Sequence, residues 1–143
     1  MSEKAEQEVH DLFERWSDAS SAKDIDGAML PVATDVVSYE HIDRLQHTGV
    51  DAVRVVCQQG FDAAQGELRW DVPDLRILVR DDIAATWGMN RVRVIDEDGH
   101  TRDHYSRGTR IFQRANGAWK MIHQHVSYPI DPQTGLAKSE LLP

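Results

Sequence analysis

Arg110 stands in the run Thr109-Arg110-Ile111-Phe112, and a cation among glycine, isoleucine and phenylalanine neighbours must be paired or put to use. In an extended strand, alternation sets His104, Ser106, Gly108 and Phe112 on its face. His104 adds a group that titrates near neutral pH, either an acid at a pocket mouth or an exposed strand end. Trp87 and Asn90 lie mid-strand in ATWGMNRV, where Gly88 permits a bulge and leaves open which of them turns inward. Tyr39 and His41 flank Glu40 and point away from it if that strand is regular. His123 and His125 put two imidazoles on one strand face, which is half a coordination shell, and the nearest further ligands belong to the other side, so no metal is expected. Cys57, the one cysteine, sits in the apolar run VRVVCQQGF, which suits a buried thiol and excludes an internal disulfide or a multi-cysteine zinc cage.

These residues need elements to hold them. Val9, Leu12, Phe13, Trp16 and Ala19 recur at three- and four-residue spacing and predict a helix over residues 2–21 with one apolar stripe. Asp24 is the expected cap of a short second helix that carries Ile25, Met29 and Leu30 inward and is disturbed at Pro31. DVVSYEH reads as strand. Thr48 is the expected cap of a third helix, GVDAVRVVCQQGFDAA, with Val50, Val53, Val56, Cys57 and Phe61 at helical spacing. From Glu67 onward five strand patterns follow, separated by turn signals at Pro73, Asp81-Asp82, Asp96 to Gly99 and Asn116-Gly117. Helices first and a meander of long strands after them make an α+β arrangement, and long twisted strands under three helices form a half-open cone with a pocket inside.

The last hairpin decides what that pocket holds. A three-residue Ala-Asn-Gly loop with a glycine bulge sets Ile122, Gln124 and Val126 beside Arg110. A two-residue Asn-Gly turn sets His123 and His125 there instead. The bulged register is preferred because it lines a tapering cone with apolar side chains. Trp119, Met121, His123, His125 and Ser127 then occupy the outer face, a surface expected to pack against a second copy as a homodimer.

The chain of 143 residues is the length of one domain. With 41% hydrophobic and 28% charged residues it is ordinary globular material, and 24 acids against 16 bases give a net charge of −8, which disfavours nucleic acid. Apolar runs are too short for a membrane helix, and the acidic start MSEKAEQEVH is unlike a secretory signal, so a cytoplasmic protein is expected. No glycine loop for phosphate, nucleotide fingerprint or haem motif occurs, and no cofactor is expected.

The segment SRGTRIFQRANGAWKMIHQHVS, with its T-R-x-aromatic strand, R-x-x-G-x-W-K hairpin and H-x-H-x-S strand, resembles the nuclear-transport-factor-2-like superfamily, specifically SnoaL-like and ketosteroid-isomerase-like proteins. It is also similar to the association domain of calcium/calmodulin-dependent protein kinase II. RWSDASSAKDIDG, DVVSYEH and GVDAVR extend the resemblance over about Glu8 to Ser127. It implies a conical half-barrel with three N-terminal helices packed on a strongly curved, mostly antiparallel sheet, covering residues 1–128 and followed by a tail at 129–143, and often a dimer. Ketosteroid isomerases carry a carboxylate base nine residues before the glycine of a matching helix start, which here is Glu40 before Gly49. A buried carboxylate is suited to removing a proton beside a carbonyl. The first-helix tyrosine of those enzymes lines up with Trp16, whose indole N–H donates but is no comparable acid, and their second donor has no counterpart, which argues against steroid isomerisation. The resembling kinase domain turns the matching arginine into its cavity, so Arg110 either clamps an anionic oxygen there or forms a structural ion pair with Glu40 or a helix aspartate. The resulting expectation is a pocket lined by Trp16, Glu40, His104, Arg110, Ile122, Gln124 and Val126, with Trp87 or Asn90 reaching it. Within it a cofactor-free acid/base enzyme would act on a small carbonyl or polyketide-like compound. Glu40 removes a proton, Arg110 holds the oxygen, and His104 returns a proton. The alternative is a ligand-binding or assembly module without turnover.

Overall fold

A computed structural model describes residues 2–143. Helix α1 (Ser2–Ser21) buries Ala5, Val9, Leu12, Phe13 and Trp16, the stripe that its spacing predicts. Asp24 caps α2 (Ile25–Met29), its side chain accepting from the Gly27 backbone N–H at 3.1 Å. Leu30, expected inward, is 69% exposed. A single-turn helix that stops before Pro31 has no second turn to carry its C-cap residue back onto the apolar face.

Strand β1 (Val32–Tyr39) is followed by the short β2 (His47–Thr48) and by α3 (Val50–Ala63). Thr48 does not cap α3, because it is committed to β2 opposite Val37. Gly49 takes the cap position at φ +89°, a conformation glycine reaches without steric cost, and donates its N–H to Val36 O at 2.7 Å. Val53 and Phe61 of α3 are buried. The remaining strands are β3 (Glu67–Asp71), β4 (Arg76–Arg80), β5 (Ile83–Ile95), β6 (Thr101–Ala115) and β7 (Ala118–Ser127).

The sheet runs β2-β1-β7-β6-β5-β3, with β4 also on β5. Every pairing is antiparallel except that of β1 with β7. The helices pack on the concave side of this curved, unclosed sheet, the α+β half-barrel expected from the patterns. Phe112 is fully buried and meets Phe13 edge-on at 5.6 Å, while Trp16 tilts against Trp70 at 5.0 Å. Among the described residues no helix is long and apolar enough to cross a membrane.

The β6–β7 hairpin resolves the register differently from either expectation. Its turn is the two-residue Asn116-Gly117, both at positive φ (55° and 78°), with Ala115 opposite Ala118. Such a turn matches strand twist, and asparagine followed by glycine is its preferred sequence. The extra residue enters further along: Phe112 pairs with Met121 but Ile111 with His123, so Ile122 is bulged out of the ladder. Before the bulge Trp119 and Met121 face the core, and after it Gln124 and Val126 do. The expectation that Trp119 and Met121 lie on the outer face is therefore corrected. A tight turn puts them inward, and a bulge three residues later restores the inward parity of Gln124 beside Arg110.

His123 and His125 do lie on the outer side, where both rings stack edge-on against Tyr39, at 4.7 and 5.5 Å. His123 Nδ1 donates to Val37 O at 2.6 Å. Alternation places Ile83, Ala85 and Trp87 of β5 on that face with Leu78 of β4 and Ile111 of β6, and of these Leu78, Ile83 and Trp87 are 49, 41 and 48% exposed.

Candidate active site

Beyond the aromatic core, between α3 and the open end of the sheet, lies a cavity of about 300 Å³, at the small end of ordinary ligand sites. Arg110 forms part of its wall from β6. Its guanidinium is buried over the rings of Trp16 (5.1 Å) and Trp70 (5.5 Å), an arrangement worth about 2 kcal/mol when desolvated. Burial lowers its pKa to about 10, against the pull of the Glu40 charge. Arg110 Nε donates to Gln124 Oε1 at 3.2 Å, and its two terminal nitrogens donate to no group among the described residues.

Glu40 follows the last residue of β1. It does not pair directly with Arg110. Gln124 stands between them, its amide donating to Glu40 Oε1 at 2.8 Å and to Ser38 Oγ at 3.0 Å, while Ser38 Oγ donates to the same Glu40 oxygen at 2.7 Å. Both donors meet Oε1, and Oε2 accepts from no described residue. The carboxylate and guanidinium thus share one cavity and are tied through one amide, with an unbonded atom left on each.

Gly108 precedes Arg110 by two on the same face. A methyl group there would come within 2.6 Å of Arg110 Nη1 and 2.9 Å of both terminal atoms of Asn90, so only glycine lets the guanidinium and the Asn90 amide lie across the strand. Asn90, buried on β5, donates to Ser106 Oγ at 3.0 Å, and its Oδ1 has no partner among the described residues. Val92, Leu68, Val53, Val56, Phe61 and Val126 complete an apolar lining.

Of the residues proposed from sequence, Trp16, Glu40, Asn90, Arg110, Gln124 and Val126 meet at this cavity. Three do not. Ile122 is the bulged residue on the outer side. Trp87 is on the exposed outer face because β5 runs through Gly88 with regular pairing and no bulge. His104 shares the face of Arg110 but lies beyond the cavity, where its Nδ1 bonds the Ser139 carbonyl of the C-terminal tail at 3.2 Å.

Sequence reasoning missed His41, Cys57, Trp70 and Tyr128 as lining residues. Regular strand alternation turns His41 away, but β1 ends at Tyr39, and the bend lets both Glu40 and His41 reach the mouth. His41 stacks edge-on with Tyr128 at 4.8 Å, and burial of its inner side lowers its pKa against the opposing charge of Glu40. Burial first and Glu40 second raise the Cys57 thiol to about 11, with Arg54 opposing. The apolar setting of Cys57 foretold an inert thiol; its place on the cavity wall had no signal in one helix pattern.

A larger groove, about 510 Å³, lies between α1, α2 and the β6–β7 turn, away from Glu40 and Arg110. Several of its polar groups are matched to one another: Trp119 Nε1 donates to Glu8 at 2.9 Å, and Lys120 Nζ to Leu30 O. The smaller cavity is where unpaired polar atoms face open space.

Comparison with known proteins settles the lineage of this arrangement. The SnoaL-like domain family matches residues 9–131. The chain belongs to the SnoaL-like family. An NTF2-like protein of unknown function from Pseudomonas putida KT2440 is 31% identical over 100% of this chain and 99% of its own, with a TM-score of 0.88. A candidate dehydratase of the NTF2-like family from Streptomyces avermitilis shares the fold at TM-score 0.74 and 15% identity, over 92% of this chain and 100% of its own. A candidate calcium/calmodulin-dependent protein kinase II association domain from Xanthomonas campestris does so at 0.70 and 20%, over 84% of each chain. No curated protein matches this SnoaL-like chain by sequence.

Proposed function

We propose that this SnoaL-like protein binds a small carbonyl compound in the Arg110 cavity and acts on it as a cofactor-free acid/base enzyme of the isomerase, cyclase or dehydratase type. The observation that carries this reading is the Glu40–Gln124–Arg110 relay, which holds a carboxylate and a guanidinium in one apolar hollow with free atoms on both. Glu40 Oε2 takes the proton on the carbon next to the carbonyl. The C–H electron pair becomes the enolate double bond, the carbonyl π pair moves to oxygen, and the Arg110 terminal N–H groups receive the negative charge. Return of a proton to another carbon completes an isomerisation; in a dehydration the enolate pair forms the new carbon–carbon double bond and a β-hydroxyl leaves as water, taking up the proton that Glu40 removed. His104 has no part in this scheme; His41, at the mouth beside Glu40, is the group able to carry a proton in and out.

The test is hydrogen exchange at the α-carbon of small aryl ketones in D2O, followed by proton NMR. Native protein should accelerate it and Glu40→Gln should reduce the rate about 10²-fold or more. An undiminished rate in Glu40→Gln removes Glu40 from the mechanism. A second reading, a binding module without turnover, draws support from the two hydrogen bonds that already occupy Glu40 Oε1 and from the stacking of Arg110 between tryptophans. Tight ketone binding without exchange would favour it.

The outer face, with Trp87, Ile83 and Leu78 exposed beside Ile111, is the proposed homodimer surface, in place of Trp119 and Met121. An unpaired Cys57 and an acidic surface suit the cytoplasm.

A further inference from the structure

Asn90 is 4% exposed, lines the cavity, and keeps one side-chain atom, Oδ1, without a donor. Buried acceptors in folded proteins are nearly always met, and an exception calls for an explanation at its own site. Among the described residues no donor is bonded to it: Ser106 Oγ accepts from the other amide atom, Asn90 Nδ2, at 3.0 Å, and Gly108 beneath contributes no side chain. Apolar residues of similar shape would avoid the orphan altogether. What the asparagine adds is an acceptor held next to a cation, since Asn90 Oδ1 and Arg110 Nη1 both lie within 3 Å of the same point above Gly108.

That proximity limits the ligand. An oxygen that accepts from Arg110 Nη1 and a hydroxyl that donates to Asn90 Oδ1, each about 2.9 Å from its partner, can then be neighbours on one bound molecule. Oxygens on adjacent carbons have that separation. The terminal torsion of an asparagine is broad, and a modest turn presents Oδ1 to the hollow that its side chain already borders.

We propose that Asn90 reads a hydroxyl on the carbon beside the carbonyl, so that the SnoaL-like pocket selects α-hydroxy carbonyl compounds over the same compounds without the hydroxyl. This rests on the reading of the cavity as a carbonyl pocket. Arg110 takes the carbonyl oxygen, the hydroxyl donates to Asn90 Oδ1, and Glu40 approaches the carbon that bears the hydroxyl. Proton removal from that carbon gives an enediolate, in which both oxygens stay on the partners that bound them.

Three neutral probes separate the possibilities, with binding followed by quenching of tryptophan fluorescence, since Trp16 and Trp70 line the cavity. 2-Hydroxyacetophenone should bind native protein at least about tenfold more tightly than acetophenone, in line with the rejection of analogues that leave a buried polar group unpaired. 2-Methoxyacetophenone, which keeps the oxygen and loses the donor, should bind no better than acetophenone. Asn90→Asp, which keeps acceptor oxygens, should retain the preference, and Asn90→Leu should abolish it with an unchanged melting temperature. Equal binding of 2-hydroxyacetophenone and acetophenone overturns the role of Asn90 while leaving the pocket reading intact. A methoxy compound that binds as well as the hydroxy compound overturns it too, because the amide then offers its N–H. If none of the three binds, the carbonyl-pocket reading itself fails. The ligand series on native protein decides the matter even if Asn90→Leu does not fold.

Discussion

Gly108 makes room for the Arg110 guanidinium and the Asn90 amide at once, and a single methyl group at that position would strike both. Gly108→Ala should therefore weaken probe binding about as strongly as Arg110→Gln does, and overpacking should cost about 1–3 kcal/mol of stability, read from thermal or urea unfolding. Glu40 acts on its surroundings through charge. Because that charge helps to raise the Cys57 thiol, Glu40→Gln should lower the thiol's pKa and speed its alkylation by iodoacetamide at pH 8.5 severalfold, measured by mass spectrometry of the intact chain. Arg110 titrates in the opposite sense from a stabilising cation. Its folded pKa, near 10, lies below that of a guanidinium in the unfolded chain, so between those values the unfolded state holds more protons and the folded state gains stability as pH rises. Ketone affinity should run level from pH 7 to about 9 and fall through about 10 as the cation is lost, and that step should vanish in Arg110→Gln. At this scale the residue types were legible: an arginine among apolar neighbours and a glutamate at the end of a strand both announce themselves. Gln124 as the link between them was not, because its partners Ser38 and Glu40 are more than 80 residues away in the chain.

Strand alternation was equally legible within each strand and failed at the places where a strand stops being regular. Glu40 and His41 both reach the cavity because β1 ends at Tyr39, and Trp119 and Gln124 both face inward because Ile122 stands outside the ladder. One bulge thus reconciles the tight Asn116-Gly117 turn with a polar wall beside Arg110. Its contribution is positional, and the shape of the Ile122 side chain matters little. Ile122→Val should cost about 1 kcal/mol or less, and deletion of Ile122 joins Met121 directly to His123, the partners of the adjacent Phe112 and Ile111, so that the ladder becomes regular with Trp119, Met121, Gln124 and Val126 still inward. The deletion should therefore keep cooperative unfolding and the near-ultraviolet circular dichroism of the tryptophans, and loss of that signal would show that the bulge itself is required. The cap of α3 makes the same point on a smaller scale: Thr48 has the right chemistry for a cap, but its strand pairing with Val37 claims it, and only the sheet could reveal that.

For the molecule as a whole, order of elements predicted the half-barrel, since helices followed by long strands have few ways to bury one apolar face each. The proposed dimer surface was not readable in the same way, because it depended on the parity of β7. With Trp119 and Met121 in the core, the exposed apolar patch is that of Leu78, Ile83 and Trp87. Trp87→Glu should convert the expected dimer into a monomer in light scattering at micromolar concentration while leaving ketone binding intact, as Trp87 points away from the cavity. The parallel pairing of β1 with β7 has an effect in time as well as in space. Ser38 and Glu40 leave a ribosome more than 80 residues before Gln124 does. An emerging polypeptide carries an acid and, later, a guanidinium with nothing to join them, and non-local closures of this length are slow. The Glu40–Gln124–Arg110 link can form only once β7 has slotted between β1 and β6, so the cavity takes its polar wall late in folding.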